Sequence, residues 1–456
     1  MRIENDSLGP VELPDDVWWG PQTERSRHNF ATGPQMPIAV IRALITIKQA
    51  AAKVNGTTGA IQAPVADAIQ AAAQELLGLD DAALMAHFPL RVYQTGSGTQ
   101  TNMNVNEVLA HRASDQLGRR VLPNDHVNCG QSSNDTFPTA MHMAAYPAIS
   151  QVLTSLNSLI DHLEAKQIQY WHTVKLGRTH LQDATPLTFG QEVSGWVATL
   201  QQDVATLTQL QPQLLALPLG GTAVGTGLNT TPQATQAMID AIAQLTQLPF
   251  NEMPNKFHGL AAHSELTSNH AALKTLAADL LKIANDIRFL ASGPRGGYGE
   301  LTIPANEPGS SIMPGKVNPT QAEALTMIAT RVMGNDVTIG IADSQGNFEM
   351  NVYKPVIIAT FLASAELLAG GISQFDRLLV QGLTANEVRM RQLVDHSLML
   401  VTALSPHIGY AASAKIAQTA QKTGCSLKEA ALATGKITAA QYAAWVDPLK
   451  LTNSGR

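Results

Sequence analysis

The chain has 456 residues, of which 45% are hydrophobic and only 14% charged, against about 25% charged in an average soluble protein. Lys plus Arg number 30 and Asp plus Glu 36, a net charge of −6, which argues against nucleic acid or an anionic membrane as the main partner, since both reward a basic face. Two cysteines, Cys129 and Cys425, cannot ligate an iron–sulfur cluster or a four-thiolate zinc site, and the lack of a disulfide framework fits a reducing compartment.

At roughly 150 residues per domain the length suggests about three parts, and the punctuation divides the chain at 1–130, 131–388 and 389–456. The opening, Met1-Arg2-Ile3-Glu4-Asn5-Asp6, has neither an apolar signal core nor an Arg- and Ser-rich amphipathic run, so the expectation is a soluble, cytoplasmic protein. In the first part Trp18-Trp19-Gly20-Pro21 reads as loop. Amphipathic helices follow at Ile38–Val54, stopped by Gly56, and Val65–Leu77, stopped by Gly78, because Gly just past the last periodic residue ends a helix. The polar run Gln94 to Gln100 is unlike any helix. The middle part is almost all long helix, near 138–166, 186–216, 259–290, 319–343 and 354–381. In the third of these, Leu266, Leu273, Leu276, Leu280, Ile283, Ile287 and Leu290 step at the spacing of a packed bundle. A helix of about 30 residues is about 45 Å long, too long for a compact monomer core. With so little surface charge, the chain is expected to pack against copies of itself. The apolar stretch Pro355–Gly371 is interrupted by Glu366 and reads as a buried helix, not a membrane span. In the last part, Ser426–Glu429 and Thr438–Gln441 fit the capping box.

Three polar segments stand before long helices, each ending in proline: Ser132-Ser133-Asn134-Asp135-Thr136 before Pro138, Gly177-Arg178-Thr179-His180-Leu181-Gln182-Asp183 before Pro186, and Pro308 to Asn318 before Pro319. Proline in the first turn after Asn or Thr marks a helix start, and a helix start offers free N–H groups to a carboxylate or phosphate. Any one alone reads first as an ordinary cap; three can converge on one polyanion. Gly309 to Gly315-Lys316 has the wrong spacing for a phosphate loop, and Gly220 to Gly227 lacks the dinucleotide pattern and reads as a turn. No histidine pair forms HExxH, and His263 and His270 share a packed seam. His180, in a polar loop, stands apart.

These residues resemble a family. Gly309-Ser310-Ser311-Ile312-Met313-Pro314-Gly315-Lys316-Val317-Asn318-Pro319 looks like the signature of the fumarase/aspartase superfamily. Thr95-Gly96-Ser97-Gly98-Thr99-Gln100, Ser132-Ser133-Asn134-Asp135 and the Gly177–Asp183 segment match the remaining blocks of class II fumarate hydratases. The resemblance runs nearly end to end. It implies a mainly α, three-domain fold with a central long-helix bundle, five long helices per subunit and twenty in a homotetramer, each active site being built from three subunits. It also implies reversible trans addition of water to fumarate, giving (S)-malate as in the tricarboxylic acid cycle, with no metal and no organic cofactor.

By the same resemblance Ser310 is the base that takes the carbon-bound proton, His180 the acid/base that handles water, and Glu323 the carboxylate that orients that histidine. Lys316 and Asn318, with Val317 between them, match the carboxylate binders. Ser97, Gly98, Thr99, Ser132, Ser133, Asn134, Thr179 and Ser311 match the neutral substrate contacts. Such residues are needed because removing a proton beside a carboxylate places a second negative charge on it, which preorganised donors must meet. One departure stands out. Where the family commonly has His-Pro-Asn-Asp at a second, non-catalytic dicarboxylate site, this chain reads Leu122-Pro123-Asn124-Asp125, with Arg119 three residues earlier; the expectation is a weakened site. The alternatives are an aspartate ammonia-lyase, or a non-catalytic structural protein on the same scaffold.

Overall fold

A computed structural model describes residues 1–454. The chain is mainly helical, and the five long helices are Ser133–Gln169, Phe189–Leu210, Ser264–Leu290, Thr320–Asp343 and Lys354–Phe375. It divides into two compact units. The first comprises Met1–Leu153, Ala205–Thr275 and Arg331–Leu368, the second Thr154–Val204, Leu276–Thr330 and Ala369–Arg456. Every dividing point falls inside one of the five long helices, so each of them runs from one unit into the other.

The first unit opens with an antiparallel hairpin, Arg2–Asp6 with Gly9–Leu13. The Ile38–Thr58 helix packs against Ala63–Leu77 and Pro232–Thr246, burying Val40, Ile41, Leu44, Ile45, Ile69 and Ile242. The stop expected at Gly56 is overrun: the helix continues to Thr58 and ends on Gly59 at φ 77°. Gly56 serves proximity instead, since a Cβ there would lie 2.5 Å from the Cβ of Ala66 on the neighbouring helix.

The second unit carries an antiparallel hairpin, Val174–Thr179 with Gln182–Thr188, and the short C-terminal helices. Leu176 of the hairpin is buried in one cluster with Val394, Leu400, Leu404, Ile416 and Leu427, and the Glu387–His396 helix packs on the same strand. Both expected capping boxes are present, at Ser426/Glu429 and Thr438/Gln441.

Two helix starts differ from the sequence reading. The first begins at Ser133, so Pro138 and Pro147 lie inside it. Pro186 does not open a helix at all: it lies in the second hairpin strand opposite Leu176, and helix begins only at Phe189. The seam at 259–290 is also broken, into Lys256–Ala261 and Ser264–Leu290. Among the described residues one helical run, Lys354–Val380, is long and apolar enough to cross a membrane; its Ile357, Ile358, Phe361, Leu368 and Ile372 are buried.

Candidate active site

Within the first unit, two of the matched segments are built tightly. Gly98 caps the Thr99–Leu117 helix at φ 75°, a left-handed conformation that glycine adopts without strain. Ser97 and Thr99 hydroxyls meet across it at 2.7 Å. The loop is clamped from both sides: a Cβ on Gly98 would strike the Phe137 ring at 2.2 Å, and one on Gly96 would lie 1.3 Å from the Val352 carbonyl. The Lys354 amide donates to the Gly96 carbonyl at 3.1 Å.

Ser132, Ser133 and Asn134 enter the Ser133–Gln169 helix over Asp135, which is fully buried. Asp135 accepts from the Ser132 amide at 3.0 Å on one oxygen, and from the Gly220 and Thr222 amides at 2.8 and 3.0 Å on the other. Burial pushes its carboxyl above the usual range, against the pull of those donors. Asn134 Nδ2 donates to the Ala223 carbonyl at 2.7 Å. The Gly220–Gly227 run, read from sequence as a turn, is thus tied to the Ser132–Asp135 segment. Its glycine density was the available signal; its partner, 85 positions away in sequence, was not.

Within the second unit, Thr179 and Gln182 close the hairpin as a pair, leaving His180 and Leu181 as its two-residue turn with φ of 57° and 59°. Two successive positive φ values make a type I′ turn, the connection that Asn-Gly favours and that side chains such as His and Leu resist. The turn is held from behind. Arg178 Nη1 donates to Glu300 Oε2 at 2.6 Å, with the Glu300 side chain at 0% exposure. The Arg178 guanidinium also lies 4.4 Å over the Tyr298 ring, while the Tyr298 carbonyl accepts from Arg389 Nε at 2.9 Å. A register shift between Leu176 and Arg178 marks a bulge, where a Cβ on Gly177 would meet the Thr185 carbonyl at 2.3 Å. Such bulges redirect side chains beside functional sites.

The signature loop is a closed structure of the same unit. Gly309 N donates to the Lys316 carbonyl at 3.0 Å and Asn318 Nδ2 to the Gly309 carbonyl at 2.6 Å, drawing Lys316, Val317 and Asn318 back beside Ser310. Ser310 Oγ accepts from the Ile312 and Met313 amides at 3.3 and 3.1 Å. Two N–H groups aimed at one oxygen favour negative charge there. Ser311, Lys316 and Val317 are exposed, as are His180 and Glu323. Glu323 stands in the first turn of the Thr320–Asp343 helix. No hydrogen bond joins His180 to Glu323 within this chain, among the described residues.

At Leu122–Asp125 the backbone forms a single π-helical turn, Pro123–Val127, and the Leu122 amide donates to His126 Nδ1 at 2.9 Å. Arg119 is turned aside, donating to Gln62 at 2.9 Å. The adjoining cavity of about 610 Å³ is lined by Leu122, Asn124 and Asp125 together with Asp6, Asp115 and Arg120, and does not include Arg119. Among the described residues no group of three or more His, Cys, Asp or Glu is placed to hold a metal.

The family model described as a lyase matches residues 9–334, and that of the fumarase C C-terminus matches residues 400–453. A class II fumarate hydratase of Bordetella parapertussis is 55% identical over 467 aligned positions, covering 100% of this chain and 99% of that protein. One from Listeria monocytogenes is 53% identical over 455, with 99% of each covered. The crystal structure of a class II fumarase from Schistosoma mansoni superposes with a TM-score of 0.94 at 43% identity over 99% of both chains. With the signature loop, the hairpin and the two other matched segments in place, and relatives this similar over its whole length, this chain belongs to the class II fumarate hydratases.

Proposed function

We propose that the chain catalyses the reversible hydration of fumarate to (S)-malate, as a cytoplasmic homotetramer whose active sites are each shared by three subunits. In the dehydration of malate Ser310 takes the proton from carbon. The charge flows onto the adjacent carboxylate, where Lys316 and Asn318 meet it, and His180, oriented by Glu323, protonates the departing hydroxyl. Ser97, Thr99, Ser132, Ser133, Asn134, Thr179 and Ser311 hold the two carboxylates, with the backbone of Gly98 and Val317 shaping the pocket. Arg119 and Leu122–Asp125 form at most a weak second dicarboxylate site. The division into 1–130, 131–388 and 389–456 is the matching domain organisation.

The observation that carries this reading is the Ser310 hydroxyl, which accepts two backbone amides in a loop that also presents Lys316 and Asn318. A serine is a weak base in water, and this arrangement favours the alkoxide it must become. Sharing between subunits is supported by the exposure of His180, Glu323 and Lys316 in the single chain. It is supported too by exposed apolar residues on the Thr320–Asp343 helix, Met327, Val337 and Ile341, at 68%, 62% and 59%, a stripe that another helix can bury.

The test follows fumarate's ultraviolet absorbance with purified protein and a chelator in every cuvette, malate and aspartate being offered separately. Absorbance rising with malate alone is the expected result. A rise with aspartate alone would assign an ammonia-lyase, and silence with both, from a folded oligomer, a structural protein.

A further inference from the structure

Beneath the first turn of the Ser133–Gln169 helix lies a set of buried polar side chains that the reaction scheme leaves unused. Lys48, within the Ile38–Thr58 helix, has 0% exposure. Its Nζ donates to Asn128 Oδ1 at 2.8 Å and to Gln131 Oε1 at 2.9 Å. Asn128 Oδ1 also accepts from the side-chain amides of Asn102 and Asn106, both at 3.2 Å. Asn102 carries the web outward, donating to Ser133 Oγ at 3.1 Å and accepting from Thr136 Oγ1 at 3.0 Å. On the other flank stands Asp135 with its three backbone donors. Burial lowers the Lys48 amine to about 7, opposed by the charge of Asp135.

Two buried charged groups of opposite sign, with no direct hydrogen bond between them, are a poor route to stability, because well-packed apolar residues usually serve as well or better. A lysine in this position has another use. Its hydrogen bonds to Asn128 and Gln131 set it behind the segment that opens a long helix, and its protonated form adds a charge to the field of the free amides there. Its hydrogen bonds also fix the Asn128–Gln131 turn from which Ser132 emerges. We infer that Lys48 and Asp135 are positioning residues for substrate: they hold Ser132, Ser133 and Asn134 in the geometry that receives a dicarboxylate, so that their loss is read as lost affinity. The inference rests on the hydratase reading above.

The experiment compares the full-length parent with Lys48→Met, Lys48→Gln and Asp135→Asn, each checked for parental oligomeric state. It measures kcat and KM on malate, and binding of succinate, an unreactive dicarboxylate, by calorimetry. For Lys48→Met, KM and the succinate Kd rise about tenfold or more while kcat stays within about threefold, the signature of lost uniform binding. Lys48→Gln, which restores a donor without the charge, recovers part of that loss, and Asp135→Asn raises both constants in the same sense. A merely structural role lowers Tm and leaves KM unmoved. Should Lys48→Met fail to fold, Asn102→Ser, a smaller truncation, cuts the same web at its link to Ser133 and Thr136 and carries the same expectation. A folded variant with KM and succinate Kd within about twofold of the parent overturns the inference. A parent inactive on malate overturns the hydratase reading, and this inference with it.

Discussion

Arg178→Ala removes the cationic half of an ion pair whose acidic half cannot reach water. Glu300 is at 0% side-chain exposure, its Oε2 lies 2.6 Å from Arg178, and its Oε1 has no hydrogen-bond partner. Truncating one member of a buried pair costs about 3–5 kcal/mol, because the survivor's charge is left uncompensated. Loss of the guanidinium's seat over Tyr298, at 4.4 Å, adds about 0.5–1 kcal/mol. The double replacement Arg178→Met with Glu300→Leu removes both charges and is expected to recover most of that stability. It should not recover catalysis. Arg178 stands two residues before His180, and a displacement of about 1 Å at a reacting group can cost a hundredfold in rate. Both variants are therefore expected to lose about ten- to a hundredfold in kcat on malate, while only the single one loses stability in denaturant titration. A single variant within about 1 kcal/mol of the parent would refute the burial argument. A double variant working at the parental rate would show that the pair does not place His180.

Leu181→Gly relieves a left-handed leucine worth about 1–2 kcal/mol, less the extra chain entropy of glycine; Tm should rise slightly and kcat fall as the turn loosens, and a fall in Tm would contradict the strain. Ser310→Ala and His180→Asn should each lower kcat by about two orders of magnitude or more, and a near-normal rate in the first would move the base elsewhere. Dicarboxylate soaked into crystals should leave Leu122–Asp125 empty while turnover survives; full occupancy there would refute the weakened-site reading. Asp203 pairs with Asp279, and burial followed by that neighbour's charge pushes its carboxyl up to about 7. A group raised in the folded state gives stability that is full below its unfolded value, near 4, and is lost as pH climbs through about 7. Asp203→Asn should flatten Tm across that window and raise it at pH 8; an unchanged slope would exonerate the pair.

What was legible in the sequence was what short spacing carries. The bundle seam of Leu266 to Leu290 and the two capping boxes involve neighbours three to seven positions apart, and they form as read. Pro186 misled because proline before an apolar periodic run signals a helix start, yet the edge of a two-stranded hairpin tolerates it equally. The hairpin itself was invisible, since its turn is His180-Leu181 where a readable signal would be Asn-Gly. The clamp of Asp135 on Gly220 and Thr222, and that of Arg178 on Glu300, join residues 85, 87 and 122 positions apart. No local pattern encodes such pairs. The four chemical segments were recognised through resemblance, while the buried groups that hold them still were not.

The type I′ turn at His180 and Leu181 also bears on how the chain assembles. A turn made of residues that disfavour it gives the hairpin no local nucleus. The strands must wait for Leu176 to find Val394, Leu400 and Leu404 more than 200 positions downstream, and for Glu300 to arrive beneath Arg178. Most of the chain must therefore be made and docked before His180 takes up its place in the turn, which makes this hairpin among the last parts of a newly synthesised subunit to settle.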